Sequence, residues 1–211
     1  MIRWSLLAAA IGCALAPSCS LGAQAGRENP VAGAFPVVFD SEWIRLSIVG
    51  DSLEVRGTYF LYCQSRNSAP FSLFYPFPED SLLGGARMIS LRARVDRVDT
   101  GPIPWEPAHG AAGVRWLTPI CSGDTIALET VYRQKLTTSY ARYIVTTTKA
   151  WDRPLRLARF EIRLPRDAVP VKFSFPFVSH EDAAGRYYTF DARNFLPDRD
   201  IMVRWEKTAS R

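Results

Sequence analysis

Two imidazoles, His109 and His180, are all that the chain offers for proton shuttling by histidine. A Ser-His-Asp triad needs its three groups assembled in space so that the imidazole can move a proton between partners. His180 stands in Ser179-His180-Glu181-Asp182, where the right residue types are consecutive and their side chains diverge. A solvated turn between strands accounts for that tetrad. His109 lies in a Pro- and Gly-rich stretch beside Trp105 and Glu106. Glycoside hydrolysis would need two acids about 5–10 Å apart in a cleft. Glu79, Asp80, Glu106, Asp124, Glu181 and Asp182 all fall at expected loops, and two of them converging around Trp105 would mark a hydrolase. Asp198-Arg199-Asp200 lacks the Gly and the distal Glu of a calcium loop and reads as a charged turn. No catalytic residue, metal site or cofactor is assigned. The candidates that remain are Trp105, Trp151 and His109, since aromatic side chains on loops form platforms for sugars or anchors for peptides. The competing reading packs each indole over an open edge of the core.

Of the four cysteines, Cys63 and Cys121 lie well inside the chain. An even pair in an oxidising compartment points to a disulfide, worth about 3–4 kcal/mol through restriction of the unfolded chain. Two buried thiols or a metal pair are the alternatives. The metal reading has no close ligand spacing behind it, because the histidines are distant.

The elements that would hold these residues are strands. Ile44, Leu46 and Ile48 alternate with Arg45 and Ser47; after the Gly50-Asp51 turn, Leu53 to Leu61 continue with a period of two, the pattern of a hairpin. Phe71 to Phe77 is an apolar run closed by Pro76 and Pro78, which confines it to a sheet edge. Ile89 to Val95 and Ile126 to Tyr132 alternate again, whereas residues 99–113 read as one long loop. Tyr143 to Thr148 is β-branched and favours a strand. Leu155 to Leu164 alternates with a slip near Ala158, as a bulge would produce. Val171 to Phe175, residues 185–190 and residues 201–205 follow. Trp43, Trp116 and Trp205 are core candidates. The whole describes an all-β, antiparallel β-sandwich with scarce helix. Phe74-Tyr75-Pro76-Phe77 is echoed by Ser174-Phe175-Pro176-Phe177, and if the echo is structural the sandwich is two related β-halves dividing near 137–142.

Residues 1–25 are expected to be a signal peptide. Arg3 precedes the apolar Leu6–Leu15 run, and Ala23-Gln24-Ala25 supplies a cleavage site after Ala25. The apolar run falls short of the roughly 20 residues that a membrane span needs. Residues 26–41 follow as a polar leader. Cys13 and Cys19 sit poorly for lipidation, and membrane association is expected only if Cys19 is lipidated. The net charge of +5 includes Arg3, and the remaining arginines are interleaved with acids rather than gathered in a stripe. That spread argues against nucleic acid as a partner.

Over residues 42–136 the chain resembles the vault/inter-alpha-trypsin (VIT) domain. The likeness is carried by Val55-Arg56-Gly57-Thr58-Tyr59, by Asn67, and by Tyr75-Pro76-Phe77-Pro78-Glu79-Asp80. Pro119 to Gly123-Asp124 and Tyr132-Arg133-Gln134-Lys135-Leu136 complete it. The family's Phe-Pro-Leu-Pro stands here as Tyr-Pro-Phe-Pro, and no Asp-x-Ser-x-Ser motif of an accompanying A-type domain follows. The resemblance implies an extracellular β-sandwich used in binding or assembly, with residues 137–211 adding further strands, and it brings no catalytic residues. The expected function is therefore an exported, non-enzymatic module at the cell surface or in the periplasm that takes a protein or glycan partner. The alternative is a small secreted hydrolase using loop carboxylates. Intact mass of the exported protein should begin at Gly26, with thiol labelling only after reduction; label taken up before reduction would rule out the Cys63–Cys121 bridge.

Overall fold

The computed structural model describes residues 37–63, 71–118 and 125–208. The expected signal peptide, the leader as far as residue 36, the Asn67 loop, Cys121 and the turn at 119–124 lie outside the described residues. Fourteen strands and one 3-10 turn occur among those described.

Chain order gives β1 (Val37–Val49) and β2 (Ser52–Cys63), joined by a tight turn at Gly50 with φ of +63°, a conformation that glycine adopts without strain. Next come β3 (Phe71–Pro76), β4 (Leu83–Val95), β5 (Val98–Pro102), β6 (Glu106–Pro107), β7 (Gly113–Thr118), β8 (Thr125–Leu136) and β9 (Tyr140–Tyr143). The 3-10 turn Thr146–Trp151 precedes β10 (Leu155–Arg163), β11 (Ala168–Phe173), β12 (Val178–Asp182), β13 (Gly185–Phe195) and β14 (Ile201–Lys207).

One large open sheet runs β12-β13-β10-β1-β2-β8-β4-β5, and two small sheets run β3-β7-β6 and β11-β14-β9. Tyr75 and Phe77 pack on Tyr132 of the large sheet, and Phe173 packs on Tyr188, so each small sheet covers part of one inner face. The result is the expected all-β sandwich. The described pairings are antiparallel except β1 with β10, which run parallel from Ser41↔Leu157 to Ser47↔Arg163. Strands from both sides of residues 137–142 thus share one sheet. The echoed aromatic-Pro-Phe segments close β3 and follow β11, each an edge strand of its small sheet.

The inward faces follow the alternation except where a bulge intervenes. In β1 the pairing with β2 shifts between Phe39 and Ser41, so one extra residue, Asp40, enters the strand. Val37 and Phe39 face inward before it, and Glu42, Ile44, Leu46 and Ile48 after it. Trp43 accordingly points outward and is 47% exposed, not in the core as expected, with Phe60 and the Arg159 guanidinium against its indole. Trp116 and Trp205 are buried. In β4 a shift between Met88 and Ser90 buries Met88 and exposes Ile89. In β11 a shift between Pro170 and Lys172 exposes Val171. The bulge expected near Ala158 is absent, for β10 keeps unbroken register with both β1 and β13.

Other expectations are also revised. The supposed long loop over 99–113 contributes β5 and β6, since backbone groups there find ladder partners on β4 and β7. Ser179-His180-Glu181-Asp182 is not a turn but most of the edge strand β12, where His180 Nε2 meets Thr189 Oγ1 at 2.8 Å and its ring stacks on Tyr187.

The strand expected at 143–148 stops at Tyr143, because Asp200 captures the chain that follows. Its buried carboxylate accepts from the backbone N–H of Val145 and of Thr146, from Thr146 Oγ1 and, at 2.6 and 2.9 Å, from the Arg142 guanidinium. These bonds bend residues 145–151 into the 3-10 turn; Asp198-Arg199-Asp200 is a bend ahead of β14, as the charged-turn reading expected, but with Asp200 turned inward. Asp200→Ala strands four donor groups and is expected to cost about 3 kcal/mol in urea denaturation, with Asp200→Asn losing less; a cost below about 0.5 kcal/mol would remove this carboxylate as the organiser of the turn.

Candidate functional site

The bulge at Asp40 places an acid inside the sandwich. Glu42 is the cross-strand partner of Tyr59, both face inward, and Glu42 is 2% exposed. Outside, Asp40 itself is held by Arg156 through contacts of 2.8 and 3.0 Å, which keep its carboxyl below the usual range.

Around Glu42 lies a cavity of about 60 Å³ between β1, β2, β3 and the 3-10 turn. Phe39, Tyr59, Phe74, Tyr75, Tyr143 and Trp151 supply aromatic wall, and Thr147 and Ile144 stand half-buried beside it. Trp151 packs edge-on against Phe39, with centroids 5.6 Å apart. The lining contains no Lys, Arg, His, Cys or second acid among the described residues. By volume the space holds a few heavy atoms, several times what one water needs.

Three phenols converge on this space. Tyr59 Oη shares hydrogen bonds with Tyr75 Oη at 2.8 Å and Tyr143 Oη at 2.9 Å, tying β2, β3 and β9 together. Gly57 makes room for them: a Cβ there would stand 2.3 Å from the Tyr59 hydroxyl, so the ring could not lie back along its own strand. Burial raises all three phenols above their ordinary range and holds them protonated. Thr130 Oγ1 lies beside them, and its contacts with Tyr59 and Tyr75 oppose part of that rise.

Glu42 differs from every other acid described. Burial alone pushes its carboxyl from 4.5 up to about 8, and its Oε1 is enclosed with no hydrogen-bond partner among the described residues. At neutral pH it is a carboxylic acid, able to donate one proton or to become a carboxylate when a partner justifies it.

The residues singled out from sequence do not assemble into one site. Trp151 lines the cavity. Trp105, 38% exposed, lines a separate open groove of about 600 Å³ with Glu79 and Asp80. Two acids do therefore meet near Trp105, but they are neighbours in sequence, and Asp80 accepts from the Leu82 N–H and pairs with Arg142 at 3.8 Å. That leaves Glu79 without a facing acid among the described residues lining the groove, which is not the two-carboxylate arrangement of a glycosidase. His109 is exposed in the turn before Gly110 and touches neither lining. Cys63 is buried at the end of β2, and the proposed bridge to Cys121 reaches outside the described residues. Among the described residues no three metal-ligating side chains cluster. Sequence reasoning missed Glu42, although its parity with Ile44, Leu46 and Ile48 marks an acid on an inward phase.

No protein-family model matches this chain, so the VIT resemblance stands on the quoted residues alone. No curated protein matches it either. Among solved structures it is similar to a candidate nutrient binding protein of Legionella pneumophila, with 16% identity and a TM-score of 0.61, over 82% of this chain and 67% of that one. Yeast LTA4 hydrolase shares 11% identity at a TM-score of 0.51, over 81% of this chain. An M1 zinc metallopeptidase of Deinococcus radiodurans gives 16% identity and a TM-score of 0.47, over 80% of this chain. The chain spans 29% of the yeast enzyme's length and 42% of the Deinococcus enzyme's. At these identities the likeness is one of fold.

A carboxyl whose folded pKa is raised binds its proton more tightly in the folded state. Its stability contribution is therefore present below about 4.5 and is lost as pH rises through about 8. Relative to Glu42→Gln, the protein should lose up to about 4 kcal/mol of urea stability between pH 5 and pH 9. Parallel pH profiles for the two proteins would mean that Glu42 is not buried as described.

Proposed function

We propose that this chain is an exported, non-enzymatic β-sandwich that binds a small molecule in the cavity at Glu42. The observation that carries this reading is a concave, aromatic-walled space into which an unpartnered buried carboxyl projects. Mostly apolar pockets with a few convergent polar groups are the usual form of a ligand site. Glu42 is the only carboxyl in the lining among the described residues, and acid-base hydrolysis would ask for a second group of suitable pKa. The size of the cavity favours a small ligand, or one end of a larger one, over the protein or glycan surface expected from sequence.

The nutrient-binding role given to the Legionella protein is compatible with this proposal, as its fold is shared over most of this chain. Kinship with the VIT domain is proposed on the same ground as before, with one addition. Tyr59 and Tyr75, which belong to its motifs, line the cavity, and Tyr132 packs directly behind Tyr75. Export and cleavage after Ala25 complete the proposal and rest on the sequence pattern.

Thr147→Trp should fill the mouth of the cavity without disturbing the core. In a thermal-shift screen of small fragments, ligands at ten times their Kd should stabilise the unmodified protein by about 1.4 kcal/mol, a rise of roughly 3–6 °C, and the variant not at all. Hits that stabilise both proteins equally would place binding elsewhere and reject this cavity as the site.

A further inference from the structure

The cavity also carries information about the charge of what it takes, provided it is a ligand site as proposed above. Glu42 Oε1 is enclosed and unpartnered among the described residues, and no cationic side chain lines the space to neutralise it. A ligand carboxylate or phosphate would therefore meet another acid and find no counter-charge. A purely apolar ligand would leave the carboxyl unsatisfied, at the cost that any lone buried polar group incurs. A ligand that brings a positive charge and N–H donors satisfies it. The remaining wall suits the same ligand, since the faces of aromatic rings attract ammonium groups. Phe39, Tyr59, Tyr75, Tyr143 and Trp151 surround Glu42 on that wall, and the phenol oxygens add acceptors. Space for only a few heavy atoms admits an ammonium group with a short stem.

We propose that the cavity binds a primary ammonium group on a short alkyl stem, with the Glu42 carboxylate as its counter-ion and the aromatic rings around the stem. In the unliganded protein at neutral pH Glu42 holds its proton. Entry of the alkylammonium forms the ion pair, and that proton leaves to solvent, one per ligand bound. The ammonium keeps its own protons, because alkylamines titrate near the lysine value of about 10.4.

Titration calorimetry of the purified mature protein with propylammonium, propan-1-ol and propionate tests this. Propylammonium should bind in preference to the other two. Since Glu42 titrates near 8, its affinity should fall about 30-fold from pH 9 to pH 6.5. At pH 7 the measured heat should change with the ionisation enthalpy of the buffer, reporting about one proton released. Glu42→Gln should weaken binding at least tenfold and remove both dependences. Propan-1-ol or propionate binding as tightly as propylammonium, with loss in Thr147→Trp, would keep the cavity as a ligand site and overturn the ammonium assignment. Propylammonium binding without pH or buffer dependence would also overturn it. If none of the three probes binds at 10 mM, the ammonium assignment fails, and the fragment screen decides separately whether the cavity binds anything.

Discussion

The extra residue at Asp40 is the constraint on which the site depends. A strand with an unbroken period of two would carry the phase of Val37 and Phe39 straight through, burying Trp43 and turning Glu42 to solvent. The bulge reverses the phase in mid-strand, so that apolar residues on both sides of it face inward and the acid between them is carried in as well. Arg156, on the neighbouring parallel strand, grips Asp40 from outside. What looks like a local irregularity thus decides which of two adjacent residues, an indole or a carboxyl, becomes part of the interior.

The interior then accommodates that acid through a chain of dependences. Gly57 gives up its side chain so that the Tyr59 ring can lie along β2, and the ring delivers its hydroxyl to Tyr75 and Tyr143. Tyr143 can arrive only because its strand ends there and the following residues are folded back over the cavity by Asp200. One buried acid therefore shapes the wall while another projects from it. The first is saturated with donors and serves structure. The second has an oxygen with no hydrogen-bond partner among the described residues, which is the difference between the two.

Much of the architecture was legible in the sequence because burial on one face of a sheet writes a period of two into it. The hairpin at Gly50, the inward set Ile126 to Tyr132 and the scarcity of helix follow from that rule, and the edge position of the strand at Phe71 from its closing prolines. The rule fails at bulges, where parity reverses with no mark in the composition; Ile89 and Val171 were misplaced for this reason, whereas Trp43, out of phase with Ile44, Leu46 and Ile48, was assigned to the core against the alternation. The remainder of the site was hidden for a different cause. Tyr59 finds Tyr143 84 residues away and Asp200 finds Arg142 58 residues away, and nothing in any of these local stretches announces its partner. Glu42 was the exception, since an acid in phase with Ile44, Leu46 and Ile48 is visible without coordinates.

The single parallel pairing has a consequence for the order in which this chain can fold. β1 and β10 lie side by side although 116 residues separate Ser41 from Leu157, and the hydrogen-bonding edge of β1 is satisfied only after the whole intervening segment has been made. Closing so long a loop late is slow relative to zipping a hairpin. Until then the β1–β2 hairpin exposes an unpaired rim beside the indole of Trp43, the kind of edge on which chains of the same sequence associate.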